Sequence, residues 1–147
     1  MTHVRRQIRD RLAAVLDSFI PTAKVTSGSM FDQNFPDADL LIEVVFVDEQ
    51  IDEETMGSDI QRRLPSFQIR VQRVSADGVD DLLDADEVVI SDAIFSVVWD
   101  DLCLDDPEIS RVQLVRGAEG GSGVSALVIT VGFDYRASKD DLETPKG

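Results

Sequence analysis

The sequence predicts an α+β domain: a single mixed or antiparallel sheet of four or five strands with two helices packed on one face. Three observations predict it. Apolar residues recur at helical spacing in two segments, residues 2–18 and 79–102. Elsewhere, short apolar or alternating runs rich in Val, Ile and Phe are bounded by turn signals, as strands are. The order along the chain is helix, strands, helix, two strands, which suits one sheet with both helices on the same side.

The first helix is predicted from Thr2 to about Ser18, with Thr2 as its N-cap. Val4, Ile8, Leu12, Val15, Leu16 and Phe19 form its apolar stripe; Arg5, Arg6, Arg9 and Arg11 occupy the other face, and Pro21 ends it. Residues 22–30 have weak strand character. The cluster Phe31-Asp32-Gln33-Asn34-Phe35-Pro36 reads as a loop. Leu40–Val47 is apolar at nearly every position and rich in β-branched residues, the pattern of a central strand covered on both faces. Residues 48–59 carry Asp48, Glu49, Asp52, Glu53, Glu54 and Asp59 with little apolar content, so they read as an exposed loop or hairpin arm. In the next strand, about 60–74, Phe67, Ile69 and Val71 alternate with Gln68, Arg70 and Gln72, the period of a half-buried strand.

Asp77-Gly78 breaks that strand, and a second helix is predicted from about Val79 to Leu102. Asp77 or Asp80 caps it, and Asp80, Asp81 and Asp84 suit its positive N-terminal end. Its buried stripe is predicted as Val79, Leu82, Leu83, Ile90, Ile94, Val97, Val98 and Leu102, with Asp105-Asp106-Pro107 as the stop. Two strands close the domain, Arg111–Arg116 and Ser125–Arg136, joined by the Gly- and Ser-rich connection Gly117–Gly123. Leu127, Ile129, Val131, Phe133 and Tyr135 alternate on one face of the second. The domain is placed at residues 1–136, and the polar tail 137–147 is expected to fray.

A chain of 147 residues fits one domain and buries a core without staples. A hydrophobic content of 43% excludes a disordered chain. No apolar run reaches the length of about 18 residues that a membrane helix needs, and the basic start Met1–Arg6 lacks the apolar stretch of a signal peptide. Synthesis in the cytoplasm is therefore expected. Asp and Glu number 29 against 14 Lys and Arg, a net charge of −15, which repels phosphate backbones and anionic membranes.

The search for chemistry is close to empty. His3 is a terminal residue without a positioned partner, and Cys103 reads as a small buried hydrophobe near a helix end. One His and one Cys make no zinc site. The glycines of Gly117–Gly123 lack the Lys-Ser/Thr ending of a phosphate loop. The acids at 48–59 do not match calcium-loop spacing and read as solvated. No catalytic, cofactor or metal site is therefore expected, and no enzyme. Arg5, Arg6, Arg9, Arg62 and Arg63 are basic clusters in an acidic chain. With Asp77 and Asp80 they are candidate subunit contacts, against the plainer alternative of solvation and local pairs such as Asp59 with Arg63.

The pattern resembles the tail terminator (tail completion) proteins of lambda-like siphophages and gene transfer agents over about residues 2–136. The opening helix with Leu12-Ala13-Ala14-Val15-Leu16-Asp17, the string Phe-Asp-x-x-Phe-Pro at 31–36, the apolar strand 38–47, the acidic stretch 49–59 and Leu83-Asp84-Ala85 carry the resemblance. Trp99-Asp100-Asp101 and the length of the Gly-rich connection depart from the family pattern. The resemblance implies a non-enzymatic homo-hexameric ring that caps the tail tube and ends its elongation. The DNA-filled head then docks on the ring through its connector proteins. The place implied is the virion's head–tail junction, assembled in the bacterial host cytoplasm, with DNA met only in passing and no membrane partner. Asp48, Glu49, Asp52, Glu53, Glu54 and Asp59 are then candidates for a pore or tube-facing acidic loop that repels passing DNA. A head–tail connector of the same particle and a non-phage cytoplasmic adaptor are the alternatives.

Overall fold

The computed structural model describes residues 2–28, 40–52, 59–74, 77–115 and 124–146. Its elements run α1 (Val4–Phe19), β1 (Lys24–Ser27), β2 (Leu40–Asp52), β3 (Ile60–Val74), α2 (Val79–Ser96), β4 (Glu108–Val115), β5 (Val124–Gly132), β6 (Tyr135–Ser138) and β7 (Asp141–Lys146). The fold is α+β with two helices, and the mixed sheet has seven strands rather than four or five. The order is β1-β2-β3-β5-β4, with β6 joined to β3 and β7 outside β6. β1 runs parallel to β2, and the other pairings are antiparallel.

β3 is the spine. One edge pairs with β2 from Arg62 to Arg73. The other edge pairs first with β6 at Ile60–Arg63 and then with β5 at Ser66–Val74. Pro65 falls in the gap between those two pairings, where a missing N–H breaks no ladder on that edge. The Pro65 carbonyl instead accepts the Phe133 N–H at 3.0 Å. The strand predicted as one unit over 125–136 is thus two, split at Phe133-Asp134. The predicted apolar face survives the split: Leu127, Ile129, Val131, Phe133 and Tyr135 are all buried.

α1 packs on β1 and β2, α2 on β3 and β5, and the helices touch each other. α1 buries Val4, Ile8, Leu12 and Leu16. Its N-cap is His3 rather than Thr2. His3 has the non-helical backbone of a cap, and its Nδ1 accepts the Arg5 N–H at 3.0 Å. The centre of the core is aromatic. Phe67 meets Phe46 and Phe133 edge to face at 5.8 and 5.7 Å, and Phe133 meets Trp99 at 4.9 Å.

Three further details emerge. Of the two readings of 48–59, exposed loop or hairpin arm, Asp48–Asp52 take the second, because β2 continues past a bulge at Val47 and sets Asp52 opposite Arg62. α2 ends at Ser96 and not at Leu102. Val97 is extended, and the Trp99 indole N–H reaches back to the Ile94 carbonyl at 3.1 Å, which tucks Trp99 into the core. Leu82 and Val98 are therefore exposed, and Ala93 and Asp86 occupy the buried side, Asp86 held by the Arg73 guanidinium at 2.6 and 2.8 Å. Lastly, strands β6 and β7 extend past residue 136, where the domain was expected to end. Residues 135–146 form the β6–β7 hairpin, Ala137 is fully buried, and the Glu143 carbonyl accepts the Gln7 amide at 2.8 Å.

Trp99, just past α2, and Leu82 on the exposed side of α2 make a test of this packing. Trp99→Ala should cost about 3–5 kcal/mol of folding stability, whereas Leu82→Ala should change it by about 0.5 kcal/mol or less. Urea denaturation midpoints measure both; equal losses would contradict the packing described.

Candidate functional site

Charge organises this molecule more than any cleft does. Glu49 stands opposite Pro65 in the β2–β3 register, and its side chain is 4% exposed. Arg63 reaches it at 2.7 Å, Arg5 of α1 at 3.3 Å, and the Tyr135 hydroxyl donates to it at 2.8 Å. The Arg5 guanidinium also lies over the Phe46 ring, 4.2 Å from its centroid. Burial, together with the bond to Glu49, pushes the Tyr135 hydroxyl well above its ordinary value and keeps it a donor. Arg62, on the other side of the strand, forks onto Asp134 with Nε at 3.1 and 3.0 Å from its two oxygens.

A groove of about 510 Å³ opens beside this second pair. Its carboxylates are Asp48, Asp105, Asp106, Glu108 and Asp134. Arg62 is its basic residue, and Asp134 already meets that charge. The groove is thus strongly negative, and its wall contains neither His nor Cys. Among the described residues no group of three or more His, Cys, Asp and Glu is placed to hold a metal ion. Cys103 is buried, and burial pushes its thiol up to about 12, far from a thiolate nucleophile at neutral pH.

The predicted contact arginines have found partners within their own chain. Arg5 and Arg63 converge on Glu49, so Glu49 is an internal anchor and not a solvent-facing acid. The anticipated Asp59–Arg63 pair gives way to Glu49–Arg63, because the inward register of Glu49 brings it to Arg63 first. Arg62 holds Asp134. Arg6 lies 3.7 Å from Asp10 on the exposed face of α1, and Arg9 donates to Ser27 Oγ at 3.0 Å. Arg11 forks onto Asp101 at 2.6 and 2.7 Å and pulls that carboxyl below its usual range. Asp77 and Asp80 are exposed at the start of α2, where the cap is Gly78 in the left-handed region at φ 81° with no side-chain bond. Asp48 and Asp52 are exposed in β2, and Asp59 is exposed just before β3. Glu53, Glu54, the loop at 31–36 and the connection at 117–123 lie outside the described residues. Sequence reasoning missed Asp86, Asp101 and Asp134 as ion-pair partners, since each meets an arginine on another element.

No family model matches the chain, and no curated protein matches it. Among solved structures, a chain of the virion of a native gene transfer agent particle is 19% identical over 92% of this chain and 92% of its own, with a TM-score of 0.53. A second solved chain is 17% identical over 89% of this chain and 92% of its own, with a TM-score of 0.47. The first likeness is one of fold, and it spans nearly the whole of both chains.

Removing Glu49 strands a buried guanidinium, so Glu49→Ala should cost about 3–5 kcal/mol. Asp101→Ala, at a carboxyl 63% exposed, should cost about 1 kcal/mol or less. Urea titrations read both, and equal effects would refute the anchoring role. The His3 cap adds a pH dependence. Burial, then the nearby Arg5 cation, holds its imidazole below the ordinary value of 6.5. The unfolded chain then takes the proton more readily, so this stability is present above 6.5 and declines as pH falls through it. Between about pH 7.5 and about pH 5.5 the melting temperature should fall further for the natural chain than for His3→Asn, which keeps a cap acceptor that does not titrate.

Proposed function

We propose that this protein is a ring-forming tail terminator of a phage-like particle, a structural virion subunit without catalysis. The observation that carries this reading is the fold shared, over 92% of both chains, with a chain of a gene transfer agent virion. The sequence resemblance to tail terminators across residues 2–136 points the same way. In this reading identical copies close into a hexamer on the end of the tail tube and stop its growth. The outward side of the ring then receives the filled head through its neck proteins. DNA crosses the centre without being held.

The physical character of the chain suits that work. Ring closure needs each copy to offer two different, mutually complementary patches. Firm anchoring of α1 and the C-terminal hairpin to the sheet by Glu49 gives each copy a rigid body on which such patches keep their geometry. A net charge of −15 and a groove lined with carboxylates oppose retention of DNA by electrostatic repulsion. A head–tail connector is the second reading. A fold shared with a chain of a virion fits either position in such a particle.

The decisive experiment is the solution mass by light scattering across concentration, with negative-stain images of the largest species, followed by mixing with purified tail tubes. Closed rings that bind tube ends are the expected result. Rings that bind portal or adaptor instead would transfer the reading to a connector. A monomer at every concentration, with tubes present as well as without, would overturn both.

A further inference from the structure

An unpaired row of N–H and C=O groups along a sheet edge takes up another strand unless the edge is short or blunted. Among the described residues no strand lies on the outer edge of β4, and every residue of β4 except Ile109 is exposed. Val112 and Leu114 stand opposite Ile129 and Leu127 of the core, yet they are 40% and 39% exposed, because α1 packs on β1 and β2 and α2 on β3 and β5. A second open edge belongs to β2. β1 pairs with it at Leu41–Val44, and beyond that no described strand lies on its outer side. The arm of β2 at Asp48–Asp52 is exposed except at Glu49, with Ile51 at 52%. The remaining edges are blunted: β1 has four residues, and β7 carries Pro145 and charges of both signs.

The two open edges are complementary. The arm carries Asp48 and Asp52, so two arms repel each other. β4 carries Arg111 and, from Ile109 to Val115, no acid. Neither Arg111 nor Asp52 makes an ion pair among the described residues. Direction agrees as well. β2–β3, β3–β5 and β5–β4 are all antiparallel, so β4 runs opposite to β2. A copy that continues the sheet with strand directions kept therefore presents its β2 antiparallel to β4, which is the pairing of adjacent strands in a hairpin. Residues paired across strands point to the same face. Val112 and Leu114 point to the helix side, and so does Ile51, which stands opposite Arg63 in line with Phe67 and Ile69. With Val112 opposite Ile51 of the next copy, Arg111 falls opposite Asp52 and Gln113 opposite Gln50. Sliding two residues toward Val47 sets Val112 against Glu49 and leaves Arg111 without an acid.

We propose that copies of this chain join edge to edge, Arg111–Val115 of β4 in one copy paired antiparallel with Asp48–Asp52 of β2 in the next, Val112 opposite Ile51. This rests on the ring reading above and names the two edges that close the ring. Because the edges differ and lie on opposite sides of the sheet, the contact is heterologous, the kind that closes a ring when the rotation between copies closes. The offset it imposes suits closure. In its own copy Val112 is level with Ile129, Ile69 and Val44, whereas Ile51 is level with Arg63, six residues along β3 from Ile69. Neighbouring copies are thus offset by about 20 Å along the strands, against about 19 Å of width over β2, β3, β5 and β4. Strands so staggered tilt by about 45° to the axis of the assembly, the upper end of the range of about 35–45° in which sheets close on themselves.

The test is a cysteine pair in the full-length chain, Gln50→Cys with Gln113→Cys, beside each single variant. Both side chains are exposed, Cys103 is buried and does not compete, and far-UV circular dichroism with thermal melts checks that all three variants fold. Directly opposed residues of antiparallel strands have the Cα separation of about 4.5–5.5 Å that a disulfide spans. After mild oxidation with diamide, with and without tail tubes, the double variant should give a ladder of covalent multimers on a non-reducing gel, and each single variant should stay a monomer. Charge reversal gives a second readout by light scattering at low salt. Arg111→Asp should raise the concentration needed for assembly about tenfold or more, and adding Asp52→Arg in the same chain should restore it. A double-cysteine chain that stays monomeric on the gel while the natural chain forms rings would overturn the edge pairing and leave the ring reading standing. Dimers from Gln113→Cys alone would overturn it too, because they mean that two β4 edges meet each other. A natural chain that never assembles, with tubes or without, would sink the ring reading and this proposal with it.

Discussion

A carboxylate buried to 4% exposure is tolerated in a fold only when cations and hydroxyls meet it. Glu49 is met from three directions, by Arg5 of the first helix, Arg63 of the central strand and Tyr135 of β6. Those contacts join segments 44, 14 and 86 residues away along the chain. They fix the helix layer to the hairpin and bring the C-terminal strand against β3. The split at Phe133-Asp134 follows from the same demand. Tyr135 must pair with Arg63 to reach Glu49, while Gly132 closes against Ser66.

What could be read from the sequence was whatever depends on local periodicity. The α1 stripe Val4, Ile8, Leu12, Leu16 and the alternation of Phe67, Ile69 and Val71 or of Leu127, Ile129 and Val131 correspond to buried faces. The C-terminal segment could not be read this way. Asp141–Lys146 is polar throughout, and its strand exists because β6 offers an edge and α1 offers Gln7. The end of α2 was likewise invisible. Leu82 and Val98 obey the helical stripe as well as Leu83 does, and the tertiary bond from Trp99 to the Ile94 carbonyl decides which apolar residues go inside.

The candidate contact residues were legible as charges but not as pairs. A run of arginines in an acidic chain carries no mark of whether its partner is in the same copy or the next. Arg11 with Asp101 and Arg62 with Asp134 are separated by 90 and 72 residues, and only the fold brings them together. Asp48 and Glu49 are adjacent in sequence and alike in chemistry. The period of a strand sends one to the groove and the other to the interior.

Internal pairing has a consequence for the exterior. Six ion pairs among the described residues engage Arg5, Arg6, Arg11, Arg62, Arg63 and Arg73. Six of the fourteen basic residues are thus met by acids of their own chain. A protein of net charge −15 resists its own association at long range. Copies that nonetheless assemble must gain the attraction at short range, where apolar area is removed from water and a few opposite charges meet inside one screening length. The same negative charge opposes adhesion to DNA by repulsion.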